Sequence, residues 1–207
     1  MSRIIFYFVR HGESEANLIN VFSNRGSKHG LTPEGRKQAY TLANILKTRS
    51  IKWIYSSPLL RAAQTAEILA EELTIPLEIS DALREYDCGI LEGKSDRGSW
   101  EQHVRILKDW IEDGQWESRI EGGESFVEIK DRFLPFVDNL VRKYQGSNEG
   151  IVLVAHGGIF RIMLPLIFNL IDYHFVMDHA IRNTGFVLAE LNNGELRCLS
   201  WDGIALN

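Results

Sequence analysis

Two runs of the chain are apolar at every position. Residues 4–9 read Ile-Ile-Phe-Tyr-Phe-Val and residues 151–155 read Ile-Val-Leu-Val-Ala. A strand buried on one face alternates polar and apolar residues; a strand buried on both faces does not. Both runs therefore predict strands in a sheet covered on both sides. Each run leads into a His-Gly step, His11-Gly12 and His156-Gly157.

Helical periodicity fills much of the rest. After Thr32, a candidate cap, and Pro33, suited to the first helical position, Ala39, Leu42, Ala43, Ile45 and Leu46 keep helical spacing to about residue 47. Residues 59–73 predict a second helix, with Ala62, Ala66, Leu69 and Leu73 on one face. Helices are also predicted over 100–111, 126–144 and 159–169, with Pro135 expected to kink or interrupt the second of these. Short strands are predicted at 53–55 and 77–79, and residues 81–98 read mostly as loop. Residues 186–191 and 196–201 flank Asn192-Asn193-Gly194, a hairpin signal.

Strands alternating with helices predict a three-layer α/β/α sandwich with a mostly parallel central sheet. No repeat, low-complexity tract or Pro/Ser-rich linker divides the chain, so residues 1–207 are expected to form a single domain. In such sheets ligands bind beyond the carboxyl ends of strands. The two His-Gly steps fall there.

Composition narrows the partners. The chain is 44% hydrophobic and 25% charged, ordinary for a globular protein. A formal net charge of −5 gives no reason to expect nucleic acid, so any anion site must concentrate its cations locally. Cys88 and Cys198 are too few for a disulfide framework and too far apart for a metal knuckle, which predicts reduced thiols in a cytoplasmic protein. The run at 4–9 is too short for a signal peptide or a membrane span. The later run at 158–171 is broken by Arg161 and Pro165.

The chemistry-bearing residues lie in three places. Arg10-His11-Gly12 sets a guanidinium, an imidazole and a residue without a side chain directly after the first strand. Arg offers phosphate a planar fork of donors, Gly lets backbone N–H groups approach an anion, and neutral His is a nucleophile. Arg61 falls in the first turn of its helix, where a cation is disfavoured unless an anion is near, and Ser57 is a candidate cap. His156-Gly157-Gly158 ends the second strand.

Taken with Ser-Ser-Pro-Leu-x-Arg-Ala-x-Gln-Thr-Ala around Arg61, Glu85 before Asp87-Cys88-Gly89, and Ala155-His156-Gly157-Gly158, these blocks resemble the histidine phosphatase superfamily, also called phosphoglycerate-mutase-like. The resemblance runs in order from about residue 4 to residue 191. It implies that His11 is phosphorylated, that Arg10, Arg61 and His156 complete the phosphate pocket, and that Glu85 is the proton donor. It also implies that Asn17, Ser23 and Gly157 touch substrate, and that Asn183-Thr184-Gly185 supports the pocket. No metal or other cofactor is expected, because the guanidinium groups supply the positive charge. The expected partner is a small phosphate ester, with neither nucleic acid nor membrane; the sequence carries no sign of an oligomeric state.

Glu13, Asp81, Asp87 and Glu92 are the rival carboxylates, Glu13 strongest because it is close to His11; pairing or capping is its expected role. Trp100 and His103 are expected to serve packing and local hydrogen bonding. Arg25 and Lys28 either reach a substrate anion or sit on a solvated loop. The implied activity is a phosphomonoester phosphatase. A phosphoglycerate mutase is the alternative, and a non-catalytic phosphate-binding module a third reading. Gly158 stands where mutases normally have Asn, and Lys94, Arg97, Arg105, Lys108 and Arg119 are scattered among acids instead of forming a basic grip.

Overall fold

The structure, a computed structural model, describes residues 4–168, 172–192 and 194–206. Asn169, expected at the end of a helix, and Asn193, in the expected hairpin turn, lie outside the described residues. One sheet holds β1 (Ile4–Arg10), β2 (Ile51–Ser56), β3 (Leu77–Ile79), β4 (Gly150–Ala155), β5 (Phe186–Asn192), β6 (Glu195–Trp201) and β7 (Ile204–Ala205). Their order is β3-β2-β4-β1-β5-β6-β7. The block β3-β2-β4-β1 is parallel, and β5, β6 and β7 continue it as antiparallel edge strands.

The helices are α1 (Glu15–Leu18), α2 (Pro33–Leu46), α3 (Leu60–Leu73), α4 (Arg97–Ile111), α5 (Phe126–Tyr144), α6 (Gly157–Ile167) and α7 (Tyr173–Asp178). The uninterrupted strands are explained by two cores. Phe6 and Phe8 of β1 join Phe133 of α5 and Phe160 of α6 on one face. Tyr7 and Val9 join Leu42 and Leu46 of α2 and Ala62, Ala66 and Leu69 of α3 on the other. Phe8 meets Phe160 edge-on at 5.8 Å. Truncating either ring to Ala should cost about 3–5 kcal/mol. The sandwich is three-layered, as the strand pattern implies.

The register of β1 and β4 places the site. Arg10 lies opposite Ala155, so His11 and His156 leave neighbouring parallel strands at the same level. His11 N donates to Ala155 O at 3.0 Å, which locks the two strand ends together.

Several expectations shift. α5 runs unbroken through Pro135. The proline sits on the exposed face and forfeits one backbone bond, while Phe126, Ile129, Phe133, Val137 and Leu140 bury the opposite face. Burial of five large side chains at about 1.5–3 kcal/mol each outweighs the ~3 kcal/mol proline penalty. α4 begins at Arg97, capped by Asp96, and α6 at Gly157, because polar residues and glycines carry no apolar period. α1, α7 and β7 were not expected; at four, six and two residues they are too short to show a period. Residues 81–98 are chiefly loop, with 3-10 turns at Asp81–Leu83 and Gly89–Leu91. Both cysteines are free and buried. No helix among the described residues is long and apolar enough to cross a membrane.

Candidate active site

The two imidazoles are buried, His11 3% and His156 1% exposed, with ring centroids 5.1 Å apart. His11 Nδ1 lies 2.7 Å from Gly12 O. A carbonyl only accepts, so Nδ1 carries the proton. Nε2 is then the lone-pair nitrogen, and Arg61 Nε donates to it at 3.1 Å. Both contacts require the same tautomer.

Arg61 is 6% exposed, on the first turn of α3, and its Nη1 donates to Ser23 O at 2.7 Å. Arg10 Nη1 donates to Ile181 O at 2.7 Å, while Arg10 Nε is buried without a partner. His156 Nε2 pairs with Ser57 Oγ at 2.8 Å, and His156 Nδ1 is also buried without a partner. Buried polar atoms are nearly always paired. Two of the unpaired ones belong to Arg10 and His156, next to His11 in the chain and against its ring.

Glu85 sits between the two 3-10 turns, and its Oε2 accepts from Gly158 N at 2.9 Å, over the first turn of α6. A Cβ on Gly158 would stand 2.7 Å from Glu85 Oε2 and 2.7 Å from Tyr86 Cε1. The glycine is what admits the carboxyl group. Gly12 has a different role from the one expected. Its N–H is taken by Thr65 Oγ1 at 3.1 Å, and a Cβ there would stand 2.5 Å from Gly35 O. The side chain is missing for loop-against-helix packing, and that N–H is spent within the protein.

Asn183 Nδ2 donates to His11 O at 3.0 Å, and Thr184 N donates to Arg10 O at 3.0 Å. Thr184 has φ +55°, a costly conformation for a β-branched residue. The bend pins the Arg10-His11 backbone from the far side of β1, so the Asn183-Thr184-Gly185 block does support this turn.

Burial sets the electrostatics. It pushes His11 well below the ordinary imidazole value, with Arg61 and Arg10 acting in the same direction. His156 is lowered well below it too, by burial first and then by Arg61. Burial pushes Arg61 down to about 10, against the opposing pull of Glu85. Burial raises Glu85, and Arg61 and the Gly158 N–H oppose it. The site therefore holds neutral imidazoles and a carboxyl group biased towards its protonated form.

These groups surround a cleft of about 240 Å³. Arg10, His11, Asn17, Ser23, Arg61, Glu85 and Gly157 all line it, and the His156 ring lies against that of His11. Among the described residues Glu85 is the one carboxylate in the lining. Glu13 instead accepts from Thr32 Oγ1 at 2.7 Å, and Glu92 from Asn24 N at 2.8 Å. Arg25 turns away to Asp87 at 2.8 Å, and neither it nor Lys28 lines the cleft. Ser57 is not the N-cap of α3, which is Leu59; its Oγ accepts from Leu59 N at 3.2 Å just before the helix and also pairs with His156 Nε2.

Phe22, Asn24, Tyr86, Trp100, His103 and Arg161 also line the cleft and were not singled out as site residues. Trp100 packs, as expected, 4.2 Å from Phe22 between ring centroids, and His103 makes a hydrogen bond, its Nε2 pairing with Tyr86 Oη at 2.6 Å. Their second face is the cleft wall. Arg161 had one available signal, since it follows Gly157 by four positions and so shares its helix face.

The chain is similar to known proteins in sequence and in fold. The chain is 32% identical over 167 residues to the glucosyl-3-phosphoglycerate phosphatase of Mycolicibacterium vanbaalenii, covering 78% of this chain and 73% of that one. It is 34% identical over 167 residues to a probable phosphoglycerate mutase of Proteus mirabilis, covering 81% and 76%. A solved mycobacterial glucosyl-3-phosphoglycerate phosphatase in complex with VO3 shares the fold, with a TM-score of 0.80 at 24% identity over 98% of this chain and 99% of that one. The family model of the histidine phosphatase superfamily (branch 1) matches residues 6–203, from β1 to beyond β6, and the chain belongs to that superfamily.

Proposed function

We propose that the chain is a phosphatase of small phosphorylated metabolites that works through a phosphohistidine at His11. The observation that carries this reading is the His11 tautomer, with its Nε2 lone pair turned to Arg61 in the cleft. In the first half-reaction, Nε2 attacks phosphorus, the ester P–O bond breaks, and Glu85 gives its proton to the leaving oxygen. In the second, water attacks the phosphorus and gives its proton to Glu85, the P–N bond breaks, and neutral His11 returns.

Charge spread over the transferring phosphoryl oxygens is stabilised by Arg10 and Arg61, and the unpaired His156 Nδ1 is a further donor. The two guanidinium groups meet the need for positive charge, so the reading calls for no metal. An alkoxide leaves poorly without a proton, which is why a carboxyl group with a raised pKa matters here. Asn17, Ser23 and Gly157 are assigned to substrate contact. Residues 1–207 are read as one domain around the single sheet, and the two free thiols fit a reducing, cytoplasmic setting. Neither nucleic acid nor membrane is proposed as a partner.

The likeness to a probable phosphoglycerate mutase keeps one alternative, return of the phosphoryl group to the same acid. Two observations favour hydrolysis. Gly158 leaves no room for the Asn expected of a mutase while Glu85 stays where it is. Lys94, Arg97, Arg105, Lys108 and Arg119 do not line the cleft, and Arg97 and Arg119 are paired with Glu101 and Glu128. The test is incubation with 3-phosphoglycerate and a bisphosphoglycerate primer. Phosphate release should outrun isomer interconversion; the reverse order would establish the mutase.

A further inference from the structure

We infer that Tyr86 and His103 are positioning residues for the general acid: hydrogen-bonded to each other, they hold the Tyr86 ring as a fixed cover beside Glu85 that keeps water from its carboxyl group. This deepens the phosphatase reading and rests on its assignment of Glu85.

Glu85 and Tyr86 are neighbours in sequence, and both close on Gly158. A Cβ there would stand 2.7 Å from Glu85 Oε2 and 2.7 Å from Tyr86 Cε1. The Tyr86 ring is held from further sides. Trp110 of α4 meets it edge-on at 5.7 Å between centroids, and His103 of the same helix lies parallel to it within 1°. His103 Nε2 pairs with Tyr86 Oη at 2.6 Å, and the Tyr86 carbonyl accepts from Asn24 Nδ2 at 2.8 Å. A buried tyrosine hydroxyl needs a partner. His103 supplies one without charge, because burial against Phe22 and Trp100 lowers it to about 4, with Arg161 acting in the same direction. A carboxylate or an ammonium group in its place would add a full charge to the wall that Glu85 shares.

Dryness is what the acid needs. Arg61 of α3 and Arg10 of β1 face Glu85, Cys88 of its own loop is kept a neutral thiol by burial, and Arg161 of α6 faces Tyr86 and His103. Burial favours the acid form of Glu85, while Arg61 and the N–H groups of Gly158, Tyr86 and Ile159 favour the carboxylate. A Tyr86 ring free to swing away would admit water and tip that balance to the carboxylate.

The test follows two readouts against pH: the 13C NMR signal of the Glu85 carboxyl carbon, identified by its loss in Glu85→Gln, and the alkaline limb of kcat for an alkyl phosphate. His103→Leu leaves the Tyr86 hydroxyl without its partner, and Tyr86→Phe removes that hydroxyl but keeps the ring. Both variants should move the Glu85 midpoint and the alkaline limb to lower pH together, by roughly one pH unit. His103→Gln, an uncharged partner for the hydroxyl, should hold both near their wild-type positions. An unchanged or raised Glu85 midpoint in either His103→Leu or Tyr86→Phe overturns the inference, as does a His103→Gln midpoint shifted as far as that of His103→Leu. Midpoints are read within each variant over the pH range where it stays folded, so lost stability does not mimic the shift. Failure of the phosphatase reading has a separate signature: the carboxyl midpoint responds to the variants, yet no phosphate ester is hydrolysed.

Discussion

Arg61 Nε donates to His11 Nε2 at 3.1 Å, and both side chains are buried. A cation held against an imidazole keeps that ring neutral, so the nucleophile we propose needs no separate base. When phosphate arrives, the same guanidinium can turn its donors to the oxygens. Arg61→Ala should lower kcat by roughly 10²–10³-fold, as for loss of one preorganised donor at developing charge. Steady-state kinetics with phenyl phosphate check this; a loss confined to KM would move Arg61 from transition-state stabilisation to ground-state binding.

Glu85→Gln should lower kcat for alkyl phosphates by about 10²–10⁴-fold, the usual contribution of a positioned general acid. The loss should shrink for p-nitrophenyl phosphate, whose leaving group needs little protonation. Equal losses on both substrates would assign Glu85 another role.

The pH profile follows from opposite shifts. Burial lowers His11 well below 6.5, so it loses its proton and becomes nucleophilic at a pH well under that value. Burial raises Glu85 above 4.5, so its acid form persists further into the working range and is lost as pH rises. kcat against pH should be a bell with an acidic optimum, and Glu85→Gln should abolish the alkaline limb while leaving the acid limb. An alkaline limb that remains in the variant would belong to another group.

Gly158→Ala should mimic the loss of the acid, because its Cβ would fall 2.7 Å from Glu85 Oε2. Its kcat for alkyl phosphates should fall towards that of Glu85→Gln, again with relief on p-nitrophenyl phosphate. A variant of normal activity would show that Glu85 has freedom to move aside.

Stability should also depend on pH. His11 and His156 are held well below 6.5 in the folded chain, and burial lowers His103 to about 4. Below 6.5 the unfolded chain binds more protons than the folded one. The stability these imidazoles contribute is complete above 6.5 and declines as pH falls, by up to about 1.4 kcal/mol per pH unit for each. Glu85, raised in the folded state, acts the other way: its contribution is present below 4.5 and disappears as pH rises through its folded value. Urea midpoints should therefore be lower at pH 5 than at pH 7, and the difference should narrow in His103→Asn. Equal midpoints at the two pH values would contradict the buried, neutral imidazoles.

How far the sequence carries this account depends on the range of each signal. β1 and β4 were readable because burial on both faces leaves every residue apolar, and His11 and His156 followed from their position at the strand ends. α1 was not readable, because four residues hold barely one turn. Ser57 reads as a cap from its place before a helix; its Oγ does accept from Leu59 N, but its second partner is His156, brought alongside by the pairing of β2 with β4. Trp100 reads as a packing residue and His103 as a surface or locally hydrogen-bonded one, and only the path of residues 21–24 across α4 makes both part of a cleft wall. Contacts between elements distant in the chain leave no local trace.

The most direct test is to trap the enzyme during turnover. After mixing with phenyl phosphate labelled at phosphorus and rapid alkaline quenching, the label should remain on the protein, be released by mild acid, and map to His11. It should be missing from His11→Ala, which should also lose turnover. A label on any other residue, or a His11→Ala enzyme that hydrolyses phenyl phosphate at the wild-type rate, would contradict the phosphohistidine route.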